Sequence, residues 1–454
     1  MIRLALNDAA ASLLQSHLLE TTGQEQGAFC LVRTGQGHRD TRLLVTEILF
    51  PPLDAWETQG AAILRPSAKW ISAAVSRAIE ARSGLLFIHS HPDPAFPPGL
   101  SPVDISSFRS LAETLAPMLE GPFASLVAHP AAWTGVVWSG GNIIGIDRVV
   151  SLGRTLSFLS KLPAVQHTPL DDRQQDALGV VHNRLRSLTV AVVGAGGLGS
   201  PMAEQLVRMG VAELILVDND VLDTDSNVRR VFGARMSDLN LPHPKPKVQV
   251  VADYLESLGL GVYIHPVRGD VRTERTFRHL LDSDVVLNGT DTHSSRATVN
   301  ELASTYLLPV IDVGVRVSAK SHKRLSGLFA EVRVLTPTTP CLWCRKTINS
   351  DVIRAENLPS VDRERLQIEG YVVQGIGTPV PSVAALTVLG SGLATSALLT
   401  LLSAEGDVAP SGYVVDGFLG DSLYMGPDQP RPGCRCRLQL GLGDSSPPPF
   451  QIEP

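Results

Sequence analysis

The sequence predicts an α/β protein in two parts: an α+β domain over residues 1–155, then a domain built on a mainly parallel sheet over residues 171–443. Three observations carry this. A chain of 454 residues is too long for one ordinary core and fits domains of common size. Residues 1–155 mix short apolar stretches (AFCLV, RLLVTEILF, GLLFIHS, VVW) with helical patterns at 67–82 and 102–119. From 171 the order becomes strand, glycine turn, helix, strand, which describes a Rossmann-like sheet covered on both sides.

Hydrophobic residues at 44% and charged residues at 19% are an ordinary globular balance. The net charge of −6 gives no global reason to expect nucleic acid or anionic lipid as a partner, and the tryptophans form no stacking array. The opening MIRLALNDAAASLLQS is interrupted by Asn7 and Asp8, so it does not read as a signal peptide, and a cytoplasmic protein is expected. Residues 383–402 carry no charge, but Thr387, Ser391, Thr395, Ser396 and Thr400 dilute them and basic or aromatic flanks are lacking. A buried helix is expected there rather than a membrane span. The five cysteines are odd in number with close spacings, which suits a metal site in a reducing compartment better than disulfides. Residues 156–170 read as a linker, and the proline-rich end of the chain, 444–454, as a disordered tail.

In the first domain, GLLFIHSH reads as a buried strand that ends in polar residues. Side chains at i and i+2 of a strand face the same way, so His89 and His91 can reach one metal. A catalytic zinc takes about three protein ligands and keeps a position open for water. Asp104, at the start of the next helix, can be the third ligand. Zinc lowers the pKa of water, yet a general base must still take the proton. Glu25, just before the AFCLV strand, is the best candidate, with Glu20 and Glu47 nearby. Asp93 is a conceivable substitute ligand, disfavoured because it follows the histidines directly on the turn. A bare HxH pair is as readily a pair of half-buried strand histidines, and the added Ser-x-x-Asp and upstream glutamate favour the metal.

Glu25, His89-Ser90-His91-Pro92 and Ser101-Pro102-Val103-Asp104 together resemble the JAMM/MPN metallopeptidases. The resemblance implies a catalytic zinc, an oxyanion-supporting role for Ser101, and cleavage of the peptide or isopeptide bond at the C-terminus of ubiquitin or similar proteins. The stretch from Pro92 to Leu100 is longer than the family's usual interval. Its extra residues fall among Pro92, Pro94, Pro97 and Pro98, where a loop can lengthen without disturbing a strand or helix.

In the second domain, VAVVGAGGLGS sets Gly194, Gly196, Gly197 and Gly199 between a strand and a helix. Glycines let the backbone approach a phosphate, and the helix N-terminus offers free N–H groups and a positive dipole end. Asp218, closing the second strand, can bind ribose hydroxyls. To this point NAD, FAD and ATP fit equally. Asn227, Arg230, Lys247 and Asp291 follow, more phosphate-directed groups than a dinucleotide oxidoreductase needs. Adenylation uses them: Arg and Lys neutralise the charge that builds as a carboxylate attacks the α-phosphate, and an aspartate can hold Mg²⁺.

This ordered set resembles the ThiF/MoeB-like adenylating domain of ubiquitin-activating enzymes over most of 170–440. The resemblance implies ATP contacts from Gly196, Asp218, Asn227, Arg230 and Lys247, with Mg²⁺ held by Asp291. DDRQQDALG looks like the family's Arg-Gln entry, whose arginine reaches the nucleotide of the partner subunit, so Arg173 and a homodimer are implied. The intervals from Asp220 to Asn227 and from Arg230 to Lys247 are longer than usual, which leaves Lys245 as a competitor of Lys247.

Cys341-x-x-Cys344 and Cys434-x-Cys436 offer four thiolates that suit a closed, tetrahedral structural zinc. They resemble the zinc knot of ThiF/MoeB-like proteins, where the second pair is usually CxxC. Only Cys30 is left, in an apolar strand of the first domain. Activating enzymes that pass on a thioester need a cysteine shortly before the helix beginning near Pro381, and IEGYVVQGIGTPVPS has none. An acyl-adenylate without a cysteine thioester is therefore expected. Direct hand-over, or an oxygen nucleophile such as Ser350, Ser360 or Thr378, are the alternatives. RVSAKSHKR, 316–324, reads as a solvated basic loop, with docking of an acidic partner as the alternative.

The reading is a bifunctional enzyme, a ThiF-type adenylyltransferase joined to a JAMM zinc metallopeptidase of the deubiquitinase type. Its expected partners are a ubiquitin-like protein and a conjugating-enzyme-like protein of a prokaryotic pathway. The two resemblances imply bacterial ubiquitin-like operons, some of them tied to antiviral defence. Rival readings are activation and trimming of a sulfur-carrier protein for thiocarboxylate formation, and a binding module with inactive sites.

Overall fold

The computed structural model describes residues 1–19, 23–94, 98–165, 168–240, 242–320, 324–368, 382–403, 411–417, 419–424 and 429–449. The chain divides into two compact units, Met1–Pro163 with Thr305–Leu307 and Gln439–Pro447, and Ala164–Ser304 with Leu308–Leu438 and Pro448–Pro454.

The first unit opens with β1 (Ile2–Asn7), α1 (Asp8–Leu18), β2 (Gly27–Gln36) and β3 (Thr41–Leu49). A hairpin of β4 (Trp56–Gln59) and β5 (Leu64–Pro66) leads to α2 (Ala68–Glu80), β6 (Gly84–Ser90) and α3 (Pro102–Leu115). Then come β7 (Phe123–Ala128), β8 (Trp133–Ser139), β9 (Asn142–Gly145), β10 (Arg148–Leu152) and β11 (Leu156–Phe158). One mixed sheet runs in the order β11-β10-β1-β3-β2-β6-β7-β8-β9.

The period-2 alternation of β2 decides which helix covers which face. Ala28, Cys30 and Val32 pack with Ala11, Leu14 and Leu18 of α1. Phe29 and Leu31 pack with Trp70, Ala74 and Ala78 of α2 and Phe108 and Ala112 of α3. Each fully buried leucine, valine or phenylalanine among them contributes about 1.5–3 kcal/mol. Burial pushes the Cys30 thiol up to about 12, which makes it an inert core residue. Ser67 caps α2 by accepting the Trp70 N–H at 3.3 Å.

Two segments expected to be irregular are built into this unit. β11 lies inside the expected linker, yet it pairs antiparallel with β10, and Leu156 is buried. Residues 444–447, expected as the start of a disordered tail, are ordered here. Asp444 accepts the Gln36 N–H at 2.8 Å and the Tyr306 hydroxyl at 3.0 Å. Proline content removes backbone donors, but the aspartate side chain supplies acceptors that composition alone does not weigh. Residues 450–454 lie outside the described part.

The second unit begins with α4 (Asp172–Leu178), α5 (Val180–Leu185), β12 (Thr189–Val193), α6 (Gly199–Met209), β13 (Glu213–Asp218) and β14 (Val221–Leu222). It continues with α7 (Asp225–Val228), β15 (Lys245–Pro246), α8 (Lys247–Glu256), β16 (Tyr263–Arg268), α9 (Glu274–Leu280), β17 (Val285–Asn288) and α10 (His293–Thr305). β18 (Val310–Lys320), β19 (Arg324–Leu335), α11 (Ser350–Glu356), α12 (Ser360–Ile368), α13 (Ala384–Leu402), β20 (Gly412–Asp416), β21 (Asp421–Tyr424) and α14 (Arg435–Leu438) complete it.

The main sheet of this unit runs β16-β13-β12-β17-β18-β19-β20-β21. The strands from β16 to β18 are parallel, as expected, while β18, β19, β20 and β21 pair antiparallel. Four of the seven strand pairings are thus parallel, and the expected mainly parallel sheet carries an antiparallel extension that was not foreseen. Between β18 and β19 the chain has room for a hairpin but not for the dozen or more residues of a crossover. The same pairing puts residues 316–320 and 324, expected in a basic loop, on β18 and β19, while 321–323 lie outside the described residues. Arg316 lies on β18 with its guanidinium 4.7 Å from the Phe329 ring centroid, a cation–π contact across the hairpin.

α13 is the one helix among the described residues long and apolar enough to cross a membrane, by length and composition alone. It packs on α6, β18 and β19, and more than half of it is buried. Two of its buried hydroxyls are satisfied, Ser391 Oγ on the Thr387 carbonyl of the same helix at 2.7 Å and Thr395 Oγ1 on Gln205 Oε1 of α6 at 2.6 Å.

Candidate functional site

The glycine turn after β12 has two positions where only glycine fits. Gly194 holds φ at +94°. A Cβ on Gly199 would lie 1.5 Å from the Gly194 carbonyl oxygen. A Cβ on Gly196 would meet nothing within 4 Å, which leaves its backbone free for a ligand to approach, and one on Gly197 would make only ordinary contacts, the nearest to Thr387 at 3.5 Å. Ser200 Oγ donates to the Gly196 carbonyl at 2.7 Å and accepts the Phe232 N–H at 2.9 Å, fixing the turn at the start of α6.

The turn borders a cavity of about 810 Å³ at the carboxyl ends of the parallel strands, within the roughly 300–1,000 Å³ usual for small-molecule sites. Gly194, Gly196, Gly197, Asp218, Asn227, Arg230, Lys247 and Asp291 all line it, so these residues are brought together. Gly199 supports the turn from beneath. Arg173 does not line this cavity and is exposed on α4.

The polar groups are pre-oriented. The Asp218 carboxylate accepts N–H groups from Ala195 and Asp220, each at 2.7 Å, while burial raises its pKa. Asn227 Nδ2 donates to Asp223 at 3.0 Å, and Arg230 Nη2 donates to Asn227 Oδ1 at 3.0 Å. Arg230 Nε is buried with no hydrogen-bond partner among the described residues, an open donor of the kind an incoming phosphate satisfies. Lys247 Nζ lies 2.6 Å from Asp220, whereas Lys245 is paired with Asp253 of α8. The lysine facing the cavity is therefore Lys247.

Sequence reading missed a second group on the cavity wall. Glu356, at the end of α11, accepts the N–H groups of His293 (2.9 Å) and Ser294 (2.7 Å) at the N-terminus of α10. Arg272 donates to both oxygens of Asp270 and to Asn357 Oδ1 at 2.9 Å. Glu356 and Asn357 are far in sequence from the groups they meet, and no motif spacing announces them. Thr378 and Glu20 lie outside the described residues. Ser350 opens α11 and does not line the cavity.

Cys341 and Cys344 follow β19, and Cys434 and Cys436 stand at α14. Their ligand atoms cluster, with Sγ separations of 3.7 Å (Cys341 to Cys434) and 3.9 Å (Cys344 to Cys436). Zinc–sulfur bonds of about 2.3 Å in a tetrahedron put sulfurs about 3.8 Å apart. A disulfide needs about 2.05 Å. The cluster fits zinc. Backbone N–H groups of Cys344 and Arg431 point at Cys341 Sγ and Cys344 Sγ, at 3.4 and 3.3 Å. Hydrogen bonds, the Cys436 thiol's first among them, pull Cys341 down to about 5, while burial pushes Cys434 up to about 11, so the thiols compete for negative charge that a dication would let them share.

In the first unit, β6 carries His89, His91 directly follows its last residue and donates its N–H to the Ala128 carbonyl at 2.9 Å, and Ser101 precedes α3 as its N-cap. Ser101 Oγ accepts the Asp104 N–H at 3.1 Å and Asp104 Oδ2 accepts the Ser101 N–H at 2.6 Å, a reciprocal capping box that locks the two together. Asp104 lies 3.3 Å from His89 Nε2 and 3.5 Å from His91 Nε2. Zinc bonds of about 2.0–2.1 Å to nitrogen and oxygen make a tetrahedral edge of about 3.4 Å, so this His₂Asp donor set also fits zinc. Asp93 is exposed and outside the cluster. Burial opposes ionisation of Asp104, but hydrogen bonds from His89 and His91 hold its carboxyl well below the usual range.

Glu25 Oε1 stands 3.7 Å from His91 Nε2. Burial pushes its carboxyl up to about 7, against the opposing pull of His91. The competitor Glu47 is instead taken up by Arg77, at 2.7 and 3.1 Å. Of the proline-rich stretch before Ser101, residues 95–97 lie outside the described part.

A glycine turn between strand and helix, with phosphate-directed groups around one cavity at the strand ends, defines a nucleotide-binding α/β domain. The chain belongs to the ThiF family, whose family model matches residues 172–436. It is similar to the SAMP-activating enzyme E1 of Haloferax volcanii, 30% identical over 161 residues that cover 36% of this chain and 54% of that protein. It is also similar to ubiquitin-like modifier-activating enzyme 5 of Branchiostoma floridae, 27% identical over 226 residues, 46% of this chain and 51% of that one. The chain thus spans about half the length of these curated relatives. Among solved structures, Escherichia coli MccB with MccA-N7isoASN matches at 15% identity and a TM-score of 0.47, over 61% of this chain and 77% of that one.

Proposed function

We propose that the chain uses ATP and Mg²⁺ to adenylate the C-terminal carboxylate of a ubiquitin-like or sulfur-carrier protein. A carboxylate oxygen attacks the α-phosphorus, the bond to the β-phosphate breaks, and pyrophosphate leaves. The supporting observation is the convergence of Asp218, Asn227, Arg230, Lys247 and Asp291 around the glycine turn. Asp218 would take the ribose hydroxyls, Arg230 and Lys247 would neutralise charge building on the phosphates, and Asp291 would hold Mg²⁺. The names of the relatives, which activate SAMP or ubiquitin-like modifiers, support the same substrate class. A homodimer is part of this reading, with Arg173 serving the nucleotide of the other subunit, and so is the cytoplasm, where the four thiols stay reduced and available to zinc. The test is ATP–pyrophosphate exchange with candidate ubiquitin-like proteins, with Asp291→Ala as control. Stimulated exchange lost in the variant is expected; no stimulation by any candidate ends the reading.

The His₂Asp geometry supports a second activity, zinc-dependent cleavage at the C-terminus of the same kind of protein. His89, His91 and Asp104 would hold the ion, which supplies a Lewis acid for the scissile carbonyl and for water. Glu25 takes the proton from water and returns it to the leaving amine. Ser101 Oγ, whose lone pair receives the Asp104 N–H, keeps its own proton to donate to the developing oxyanion. Glu25→Gln is expected to abolish trimming of a C-terminally extended precursor while zinc stays bound; trimming at the normal rate would remove Glu25 from the mechanism.

A further inference from the structure

Asn288, Asp312 and Arg333 are direct neighbours across three adjacent strands, β17, β18 and β19. A charge is unusual there, because central strands of such sheets are apolar on both faces, and Ile311 and Val313 beside it are fully buried. The Asp312 carboxylate has no solvent exposure. It accepts from Asn288 Nδ2 at 2.8 Å and Arg333 Nη1 at 3.3 Å, and Arg296 Nε lies 3.6 Å away. Arg333 is also paired with Glu331.

Two of these partners converge on one loop residue. Asn288 Oδ1 accepts the Thr290 hydroxyl at 3.0 Å, and Arg296 Nε donates to the Thr290 carbonyl at 3.0 Å. Arg296 is seated over Gly314, where a Cβ would come within 2.9 Å of Nη2, and Nη2 donates to the Val313 carbonyl at 3.2 Å. Thr290 is thus pinned from both sides, and the next residue is Asp291, on the cavity wall.

We propose that Asp312 is a positioning residue for Asp291: one buried carboxylate orients Asn288 and Arg296, and through them holds the Thr290–Asp291 peptide where Asp291 meets the metal of the bound nucleotide. Replacing a buried ion cluster by apolar residues is often neutral for stability, so orientation explains its presence better than stability does. The proposal rests on the reading of Asp291 as the Mg²⁺-holding residue.

The test is calorimetric binding of ATP to the full-length chain, without and with saturating Mg²⁺. In the unaltered protein Mg²⁺ is expected to raise ATP affinity, and Asp291→Ala to remove that gain. Asp312→Asn is expected to keep metal-free ATP affinity and lose about tenfold of the gain. The Asp291→Ala/Asp312→Asn double variant should match Asp291→Ala alone. Thr290→Val cuts the same chain of contacts at a half-exposed position and should reproduce the loss if Asp312→Asn fails to fold. A full gain in Asp312→Asn with only a lowered melting temperature, a full gain in Thr290→Val, or a double variant worse than Asp291→Ala overturns the proposal. If the unaltered protein shows no metal-dependent gain, the adenylation reading falls first and this one with it.

Discussion

Lys247 Nζ is 2.6 Å from Asp220 Oδ2, and the lysine side chain is largely buried while the aspartate is mostly exposed. Such a pair holds the ammonium at the cavity rim without neutralising it deep inside. Lys247→Ala is therefore expected to slow pyrophosphate exchange about a hundredfold, about 2.7 kcal/mol of transition-state stabilisation. Lys245→Ala should change it little, because its partner Asp253 is half-exposed and such pairs contribute about 1 kcal/mol or less. Comparable losses in both variants would contradict this division of labour.

The glycine turn separates a steric requirement from a binding one. Gly199→Ala forces a methyl onto the Gly194 carbonyl, so the melting temperature should fall by about 10 °C or more even without nucleotide. Gly196→Ala meets no neighbour; it should melt normally and lose only the increment that ATP adds. Thermal scans with and without ATP distinguish the two, and a stable Gly199→Ala protein would mean that the turn is not as described.

Burial raises the Asp218 pKa, so the two pH effects have opposite signs. A raised folded-state value favours folding below the ordinary aspartate range, and that contribution disappears as pH rises through the raised value. Ribose binding needs the ionised carboxylate as an acceptor, so ATP affinity should drop on mild acidification. Asp218→Asn should weaken ATP binding about tenfold, about 1.4 kcal/mol, and lose this pH dependence. Parallel pH profiles for the two proteins would exclude Asp218 as the group responsible.

What could be read in advance follows the range of each signal. His89 and His91 were legible because a strand repeats every second residue, and Gly194 to Gly199 because a tight turn leaves few residue choices. The choice between Lys245 and Lys247 was not, since it depends on where β15 ends and α8 begins. Glu356 at the start of α10, and the row from Asn288 through Asp312 to Arg333, exist only once helix and strand registers are set. The antiparallel half of the second sheet escaped for a related reason: apolar runs announce strands, not their direction.

The four cysteines offer the sharpest check on the second unit. They join the chain that follows β19 to the segment at α14, and Asn300 of α10 accepts the Leu342 N–H at 2.8 Å beside them. Zinc here would close a long loop, Cys341 and Cys434 being 93 residues apart, and binding energy at such a site is folding energy. Cys434→Ser should reduce zinc by one ion per chain in elemental analysis and lower the melting temperature of the second unit, with any zinc at His89, His91 and Asp104 retained. Chelator treatment of the unaltered protein should reproduce the destabilisation. His91→Ala should do the reverse, removing the other ion without this loss of stability, because Asp104 and Ser101 keep their capping box in the absence of metal. Equal zinc content in Cys434→Ser and the unaltered protein would show that the thiols hold no zinc.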